Sequence, residues 1–340
     1  MDKTVYLGMS GGVDSSVSAL LLKEQGYKVV GVYMKNWSKD LPGAHCPWAE
    51  DLADAKRVAV KLNIDFFVMD FEKEYKEQVV DYMLAEFKAG RTPNPDVVCN
   101  ELIKFKLFYE RAREAGADFI ATGHYAKSEN GHLYRAKDEN KDQTYFLYRM
   151  SEEALSRTLF PLAELLKPEV KEIAAKNGFL NAYKKESMGV CFVGEVGMKE
   201  FLREYIDARP GEIVEKETGE VLGAHDGAIF YTLGQRHGLY VGGGLPYYVV
   251  NKDLEKNIVY VSKNLNHEGL WTKEVRLSNL LAREEIPENV EVRMRHRAEL
   301  ISAKFENSCL YFKEPIRRPA AGQSAVLYDG KLCLGGGIIE

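Results

Sequence analysis

The sequence predicts an α/β protein: an N-terminal domain on a parallel sheet, followed by two smaller β-rich domains. Three observations carry this. The first third alternates strand-like apolar runs with helical runs, and repeated βαβ units imply a parallel sheet with helices on both faces. From about Arg209 the pattern changes to short β-rich runs separated by turn residues. A length of 340 residues is more than one hydrophobic core usually serves. Boundaries near 200–209 and 264–269 divide the chain into residues 1–204, 205–266 and 267–340.

In order, residues 4–9 read as a buried strand and 17–25 as a helix closed by Gly26. Strands are expected at 28–34, 65–71 and 118–123. Helices are expected at 49–62, 75–88 and 100–115, the last two closed by Gly90 and Gly116. After Arg209, "RPGEIVEKETGEVLGAHDG" reads as a hairpin turning near Thr218-Gly219. "YYVVNKDLEKNIVYVS" reads as two strands around 253–256, and Asp329-Gly330 is a hairpin-turn dipeptide. Ligands of parallel sheets bind beyond the carboxyl ends of the strands. The loop after the first strand and "ATGHY" after a later one therefore fall on one edge.

Hydrophobic residues make up 45% and charged residues 29% of the chain, as in ordinary globular proteins. No apolar run approaches the ~20 residues that span a bilayer, and "MDKTVYLGMSGG" has no signal-peptide core. A cytoplasmic protein without membrane attachment is expected. The net charge of -5 argues against a globally basic nucleic-acid binder but leaves room for a local basic site. Five sparse cysteines do not make a disulfide framework, and the absence of C-x-x-C gives zinc no support.

The stretch "YLGMSGGVDSSVSALLL" (6–22) runs from strand through a Ser/Gly/Asp loop into a helix. Amides at such a turn converge on one point, and the helix dipole adds positive charge there. Gly11 and Gly12 allow close approach and positive φ. Ser10, Ser15 and Ser16 add hydroxyls. Asp14 would repel phosphate, which suggests a magnesium ion between its carboxylate and phosphate oxygens. The loop matches neither the Walker pattern nor G-x-G-x-x-G. It resembles the S-G-G-x-D-S-S signature of the ATP pyrophosphatases, which cleave ATP between the α and β phosphates.

Two cysteines lie in distinctive settings. "GRTPNPDVVCNELIKFK" (90–106) is a loop stiffened by Pro93 and Pro95, with Asp96 before a helix and Cys99 near its start. "KKESMGVCFVGE" (184–195) carries Cys191 near Lys184 and Lys185. A helix N-terminus or nearby cations favour thiolate. Taken singly, each cysteine also fits a small buried hydrophobe, and Asp96 also fits a helix N-cap. Cys309 and Cys333 read as core.

Together these stretches resemble, nearly residue for residue, the bacterial tRNA-specific 2-thiouridylases of the PP-loop ATP pyrophosphatase superfamily. "ATGHYA", "NKDQTYFLY", "YTLGQRHGL" and "PAAGQSAVLYDGKLCLGGGII" extend the resemblance over essentially the whole chain. It implies ATP-dependent thiolation of a tRNA wobble uridine with Mg²⁺, by adenylation of the C2 oxygen and displacement of AMP by persulfide sulfur. The sulfur would come from a sulfur-relay protein or cysteine desulfurase. Cys191 would carry the persulfide. Cys99 would be the nucleophile and form a transient disulfide with it. The nucleotide site implied is Gly8, Met9, Ser10, Gly11, Gly12, Val13, Asp14 and Ser15, with Met34 and Gly123.

Asn94, Pro95 and Asp96 would meet the target base, with Asp96 as general acid or base. Further tRNA contacts implied are Lys141, Asp142, Gln143, Arg295 and His296. The residues themselves add that Arg293, Arg295 and Arg297 recur at period two, which on a strand places them on one face. Tyr145, Phe146 and Tyr148 fit base stacking, though core packing suits that segment better. A lone His124 at a strand end reads as structural. An adenylating enzyme that delivers an amine, or a binding module without catalysis, would not need both cysteines.

Overall fold

The computed structural model describes residues 3–40, 46–184, 197–242 and 244–340. Its N-terminal part is a five-stranded sheet of β1 (Thr4–Gly8), β2 (Lys28–Lys35), β3 (Asp65–Asp70), β4 (Phe119–Thr122) and β7 (Thr158–Leu159). The order is β3-β2-β1-β4-β7, and every pairing is parallel. The strand order reverses between β1 and β4, which opens a crevice at their carboxyl ends.

Alternation along the strands serves two cores. Val5 and Leu7 of β1 face one cluster with Val17 and Leu20 of α1 (Val13–Glu24), Val58 of α2 (Trp48–Leu62) and Val170 of the helix Lys167–Lys176. Tyr6 faces the opposite cluster with Val79, Met83, Ile103 and Phe108 from the helices 72–88 and 95–114. Side chains of a strand alternate between faces, so the continuous apolar run of β1 supplies both layers. Both opposite-face helices contain π-helical stretches, Lys76–Val80 and Cys99–Leu107. Such stretches recur at functional sites.

The second sheet joins β8 (Gly211–Glu215), β9 (Val221–His225), β10 (Tyr248–Asp253) and β11 (Ile258–Ser262) in the order β10-β11-β8-β9. The expected β8–β9 hairpin forms, with Gly219 at φ +74 in its turn. The third sheet closes β12 (Trp271–Ala282), β13 (Asn289–Arg293), β14 (Ile301–Glu306), β15 (Cys309–Arg317), β16 (Ser324–Asp329) and β17 (Leu332–Ile339) into a barrel through β12–β17 pairing. Closure leaves these strands without a free edge. The β16–β17 hairpin forms, with Asp329 opposite Leu332 and Gly330, at φ +56, as the first of its two loop residues.

A hairpin from the N-terminal part, β5 (Ala126–Glu129) and β6 (His132–Arg135), continues the barrel sheet through Tyr134 opposite Leu332. Leu133, Tyr145, Tyr148, Tyr328 and Cys333 are buried in the same core cluster as helices 72–88 and 95–114. Among the described residues no helix is long and apolar enough to cross a membrane.

Candidate active site

The Gly loop follows β1 directly into the crevice. Gly11 has φ +78, and a Cβ there would lie 2.3 Å from the Asp51 carbonyl oxygen. Gly12 has φ −83, so only the first glycine of the pair uses the left-handed region that was expected of both. The Ser15 hydroxyl accepts from the Ser10 amide at 3.2 Å and donates to the Gly12 carbonyl at 3.1 Å. Ser16 also donates to Gly12, at 2.9 Å. Buried Asn181 donates to the Gly11 carbonyl at 2.8 Å and to Ser16 Oγ at 2.9 Å. The loop is therefore held in shape before any ligand arrives, while the first amides of α1 have no intrahelical acceptor.

Gly8 and Gly123 are glycines because neighbours approach closely. A Cβ on Gly8 would lie 2.8 Å from Met34 Cε. One on Gly123 would lie 2.8 Å from the Ser15 amide nitrogen and 2.9 Å from the Asp14 carbonyl carbon. Met9 and Val13 are buried and can offer a ligand only their backbone.

Asp14 has partners that its sequence context does not announce. Lys167 Nζ donates to its two carboxylate oxygens at 2.6 and 2.7 Å, and the Tyr125 hydroxyl donates at 3.0 Å. Among the described residues no group of three His, Cys, Asp or Glu could hold a metal ion. Such an ion would not be caged by protein side chains alone: the magnesium ion expected between the Asp14 carboxylate and phosphate oxygens would share Asp14 with Lys167 and Tyr125.

The Pro-rich loop is fastened from three sides. The Thr92 amide donates to the Ala321 carbonyl at 2.7 Å, and Gln323 Nε2 donates to the Thr92 and Pro93 carbonyls at 2.7 and 3.2 Å. Thr92 also meets Thr232 of the second domain, hydroxyl to hydroxyl at 3.1 Å. Asn94, not Asp96, occupies the helix N-cap position, with Pro95 beginning the helix. That removes the capping explanation for Asp96. Burial pushes the Asp96 carboxyl up, and Lys104 pulls it partly back.

Cys99 is 4% exposed and packs in the apolar cluster. It is a buried thiol at the start of a π-helical stretch, not one presented by an open loop. Lys104 and Phe105 connect this helix to the nucleotide edge. Lys104 acts on both Asp96 and His124, and the Phe105 ring lies 5.7 Å from the His124 ring. His124 has Nδ1 2.8 Å from Thr122 Oγ1, and burial pushes its pKa well down. Cys191 lies outside the described residues.

"NKDQTYFLY" divides between surface and core. Asp142 is 1% exposed and pairs with Arg293 Nη1 at 2.8 Å. Its carboxylate is thus already engaged within the protein, and Arg293 leaves the expected arginine face. Gln143 Oε1 accepts from the Tyr125 amide at 2.9 Å, which fixes the bend between β4 and β5 that holds an Asp14 partner. Tyr145 and Tyr148 are core, and their hydroxyls reach Ser324 of the barrel at 3.0 and 3.1 Å.

The period-two arginines do not lie on one strand. β13 stops at Arg293, and the chain turns through 294–297 with Arg297 at φ +62. Arg295 and Arg297 are exposed on this turn. The His296 ring lies tilted 4.5 Å from that of Phe146, and burial, then Arg297, Arg293 and Lys141, push it down to about 4. The basic cluster exists, but a turn builds it. Cys309 and Cys333 are core as expected, and burial raises Cys333 to about 12.

Sequence reasoning missed Lys167, Asn181 and Gln323. Only Lys167 left a faint signal, because a cation at a helix start opposes the dipole.

Three family models match the chain: a tRNA methyl transferase HUP domain over residues 3–195, a tRNA methyl transferase PRC-barrel domain over 199–263, and an aminomethyltransferase beta-barrel domain over 269–339. The tRNA-specific 2-thiouridylase MnmA of Streptococcus thermophilus is 47% identical, covering 99% of this chain and 95% of that protein. The MnmA of Bacillus subtilis is 46% identical, covering 100% and 95%. A solved 4-thiouridine synthetase–RNA complex with bound ATP aligns with TM-score 0.39 and 18% identity over 59% of this chain and 50% of that one. At that relatedness over nearly the full length, the chain belongs to the tRNA-specific 2-thiouridylase family, a family of tRNA sulfurtransferases.

Proposed function

We propose that this protein thiolates the wobble uridine of tRNA at C2, using ATP and a persulfide. The observation that supports the reading is a run from the Gly loop to the helix that carries Asp96 and Cys99. Gly123 packs on the Asp14–Ser15 backbone, His124 follows it, and the Lys104–Phe105 segment joins His124 to the Asp96 helix. A nucleotide in the β1/β4 crevice and a base at Asp96 would then lie side by side.

In this reading the uracil C2 oxygen attacks the α-phosphorus, the bridging P–O bond breaks and pyrophosphate leaves. Asp96, with its raised pKa, accepts or returns the N3 proton. The terminal persulfide sulfur on Cys191 attacks C2, and AMP departs with the former C2 oxygen. Cys99 then attacks the Cys191 sulfur. The old S–S bond breaks with its electron pair on the transferred sulfur, and a Cys99–Cys191 disulfide forms, which an external thiol must reduce.

Gly8 to Ser15, Met34 and Gly123 form the nucleotide site. Magnesium would arrive with the nucleotide. Asn94 and Pro95 shape the base site, and Lys141, Gln143, Arg295 and His296 contact tRNA. A sulfur-relay protein or cysteine desulfurase supplies the persulfide, and the reaction belongs in the cytoplasm.

The test is 2-thiouridine formed in tRNA with ATP, magnesium and a persulfide donor. Cys99→Ala and Cys191→Ala should each lower it by roughly 10³-fold or more, as expected for groups acting as a unit. Undiminished thiolation in either variant removes that cysteine's role. Adenylation with transfer of an amine in place of sulfur would favour the amine-delivering alternative.

A further inference from the structure

The five-stranded parallel sheet ends differently on its two sides. One edge is β7, only two residues long. The other is β3, six residues in an unshifted parallel ladder with β2. Short strands, bulges, proline or lysine blunt an edge against pairing. β7 is short, whereas β3, "DFFVMD", carries none of these devices. Among the described residues no strand pairs with its outer side. Phe67 is 53% and Val68 45% exposed.

The ladder shows what this edge offers. The Phe71 amide donates to the Lys35 carbonyl at 2.9 Å. Backbone groups alternate along a strand, so the odd-numbered residues of β3 bond to β2. Phe66 and Val68 therefore point their N–H and C=O groups outward. Side chains alternate as well. Phe66 packs towards α1 and α2, and Met69 towards the helices of the opposite face. Val68 thus shares the face of Phe66, and Phe67 that of Met69.

We propose that the outer edge of β3 is a dimerisation surface, occupied by β3 of a second copy of this chain running antiparallel. Residues opposite each other in a sheet share a face, so the two-fold axis passes through a residue and not between two. An axis at Phe67 sets the two Phe67 side chains together as a close, non-hydrogen-bonded pair. Phe66 of each copy then exchanges backbone hydrogen bonds with Val68 of the other. Both exposed side chains gain an apolar partner. Asp65 falls opposite Met69 and Asp70 opposite Ile64, so no acid faces an acid. The two sheets become one of ten strands. The antiparallel join turns the two Gly-loop crevices in opposite directions, and each keeps its nucleotide edge open. Two six-residue strands make a small contact, so the dimer is weak and concentration-dependent.

The experiment is sedimentation equilibrium of the full chain from about 1 to about 200 µM, a range suited to a weak interface. The weight-average mass should rise from one chain towards two. Phe67→Lys sets two like charges on the axis, and Val68→Lys sets one against Phe66. Each should raise the dissociation constant about tenfold or more, with ATP affinity within twofold of wild type as the check on folding. Under mild oxidation Phe67→Cys should form a reducible dimer faster than wild type. Val60→Cys should not, although residue 60 is 80% exposed on α2. A single-chain mass across the whole range would overturn the proposal. So would a dimer that both lysine variants leave unchanged, which would belong to another surface, or equal cross-linking at positions 60 and 67.

Discussion

Asp96 carries a conflict between stability and chemistry. Its pKa is raised by burial, so the folded protein holds it at a cost once it ionises. A folded pKa above the unfolded one contributes stability below the unfolded value and loses it as pH rises through the folded value. Asp96→Asn should therefore raise the melting temperature at pH 7.5, with the gain shrinking towards pH 4, and calorimetry across that range checks it. The same variant should reduce thiolation by about 10²-fold or more, the usual scale for a general acid or base. His296 is held near 4 and is neutral at physiological pH, so the charge this turn offers comes from its arginine neighbours. Arg295→Ala should weaken tRNA binding and lower the slope of log affinity against log salt by about 1. An unchanged slope in filter binding across salt concentrations would remove the contact.

The elements that matter are turns held by close backbone approach. Gly123 touches the first turn of α1, so a methyl group at 123 presses on the backbone of Asp14 and Ser15 and not on a flexible side chain. Gly123→Ala should destabilise the protein by about 1–3 kcal/mol, the usual cost of overpacking, and weaken ATP binding. Urea unfolding with nucleotide titration measures both, and two wild-type values would show that the loop is free to give. The helix 95–114 shows the limits of pattern reading. Its start was expected at 100, because Pro93 and Pro95 look like breakers, yet Pro95 serves as the first helical residue, where its missing N–H costs nothing. The arginine run at 293–297 misled in the opposite direction. Period two suggested a strand, but Arg293 is drawn into the core by Asp142 and the strand ends there.

At the scale of the molecule, the Asp142–Arg293 pair joins the N-terminal part to the barrel with almost no solvent exposure on either side chain. Removing one partner leaves a buried charge, so Arg293→Met should cost about 3–5 kcal/mol, while Asp142→Asn with Arg293→Met should recover much of it. A double-mutant cycle by denaturant unfolding tests this, and additive effects would mean the pair is not coupled. The barrel also fixes the Pro-rich loop through Ala321 and Gln323. Thus the barrel domain holds the loop that leads into Asp96 and Cys99.

The sequence by itself determined the parallel sheet, the Gly loop on its ligand edge, the two later β-rich regions and the family. Each depends on local periodicity, turn chemistry or a contiguous motif. Only the tertiary structure decided that Asp14 faces Lys167, that Asp142 is buried against Arg293, and that the barrel holds the loop before Cys99. These are pairings between residues more than 130 positions apart. A charged side chain reads the same in sequence whether it meets solvent, substrate or a distant partner, because its role is set by the field and burial that the whole fold creates.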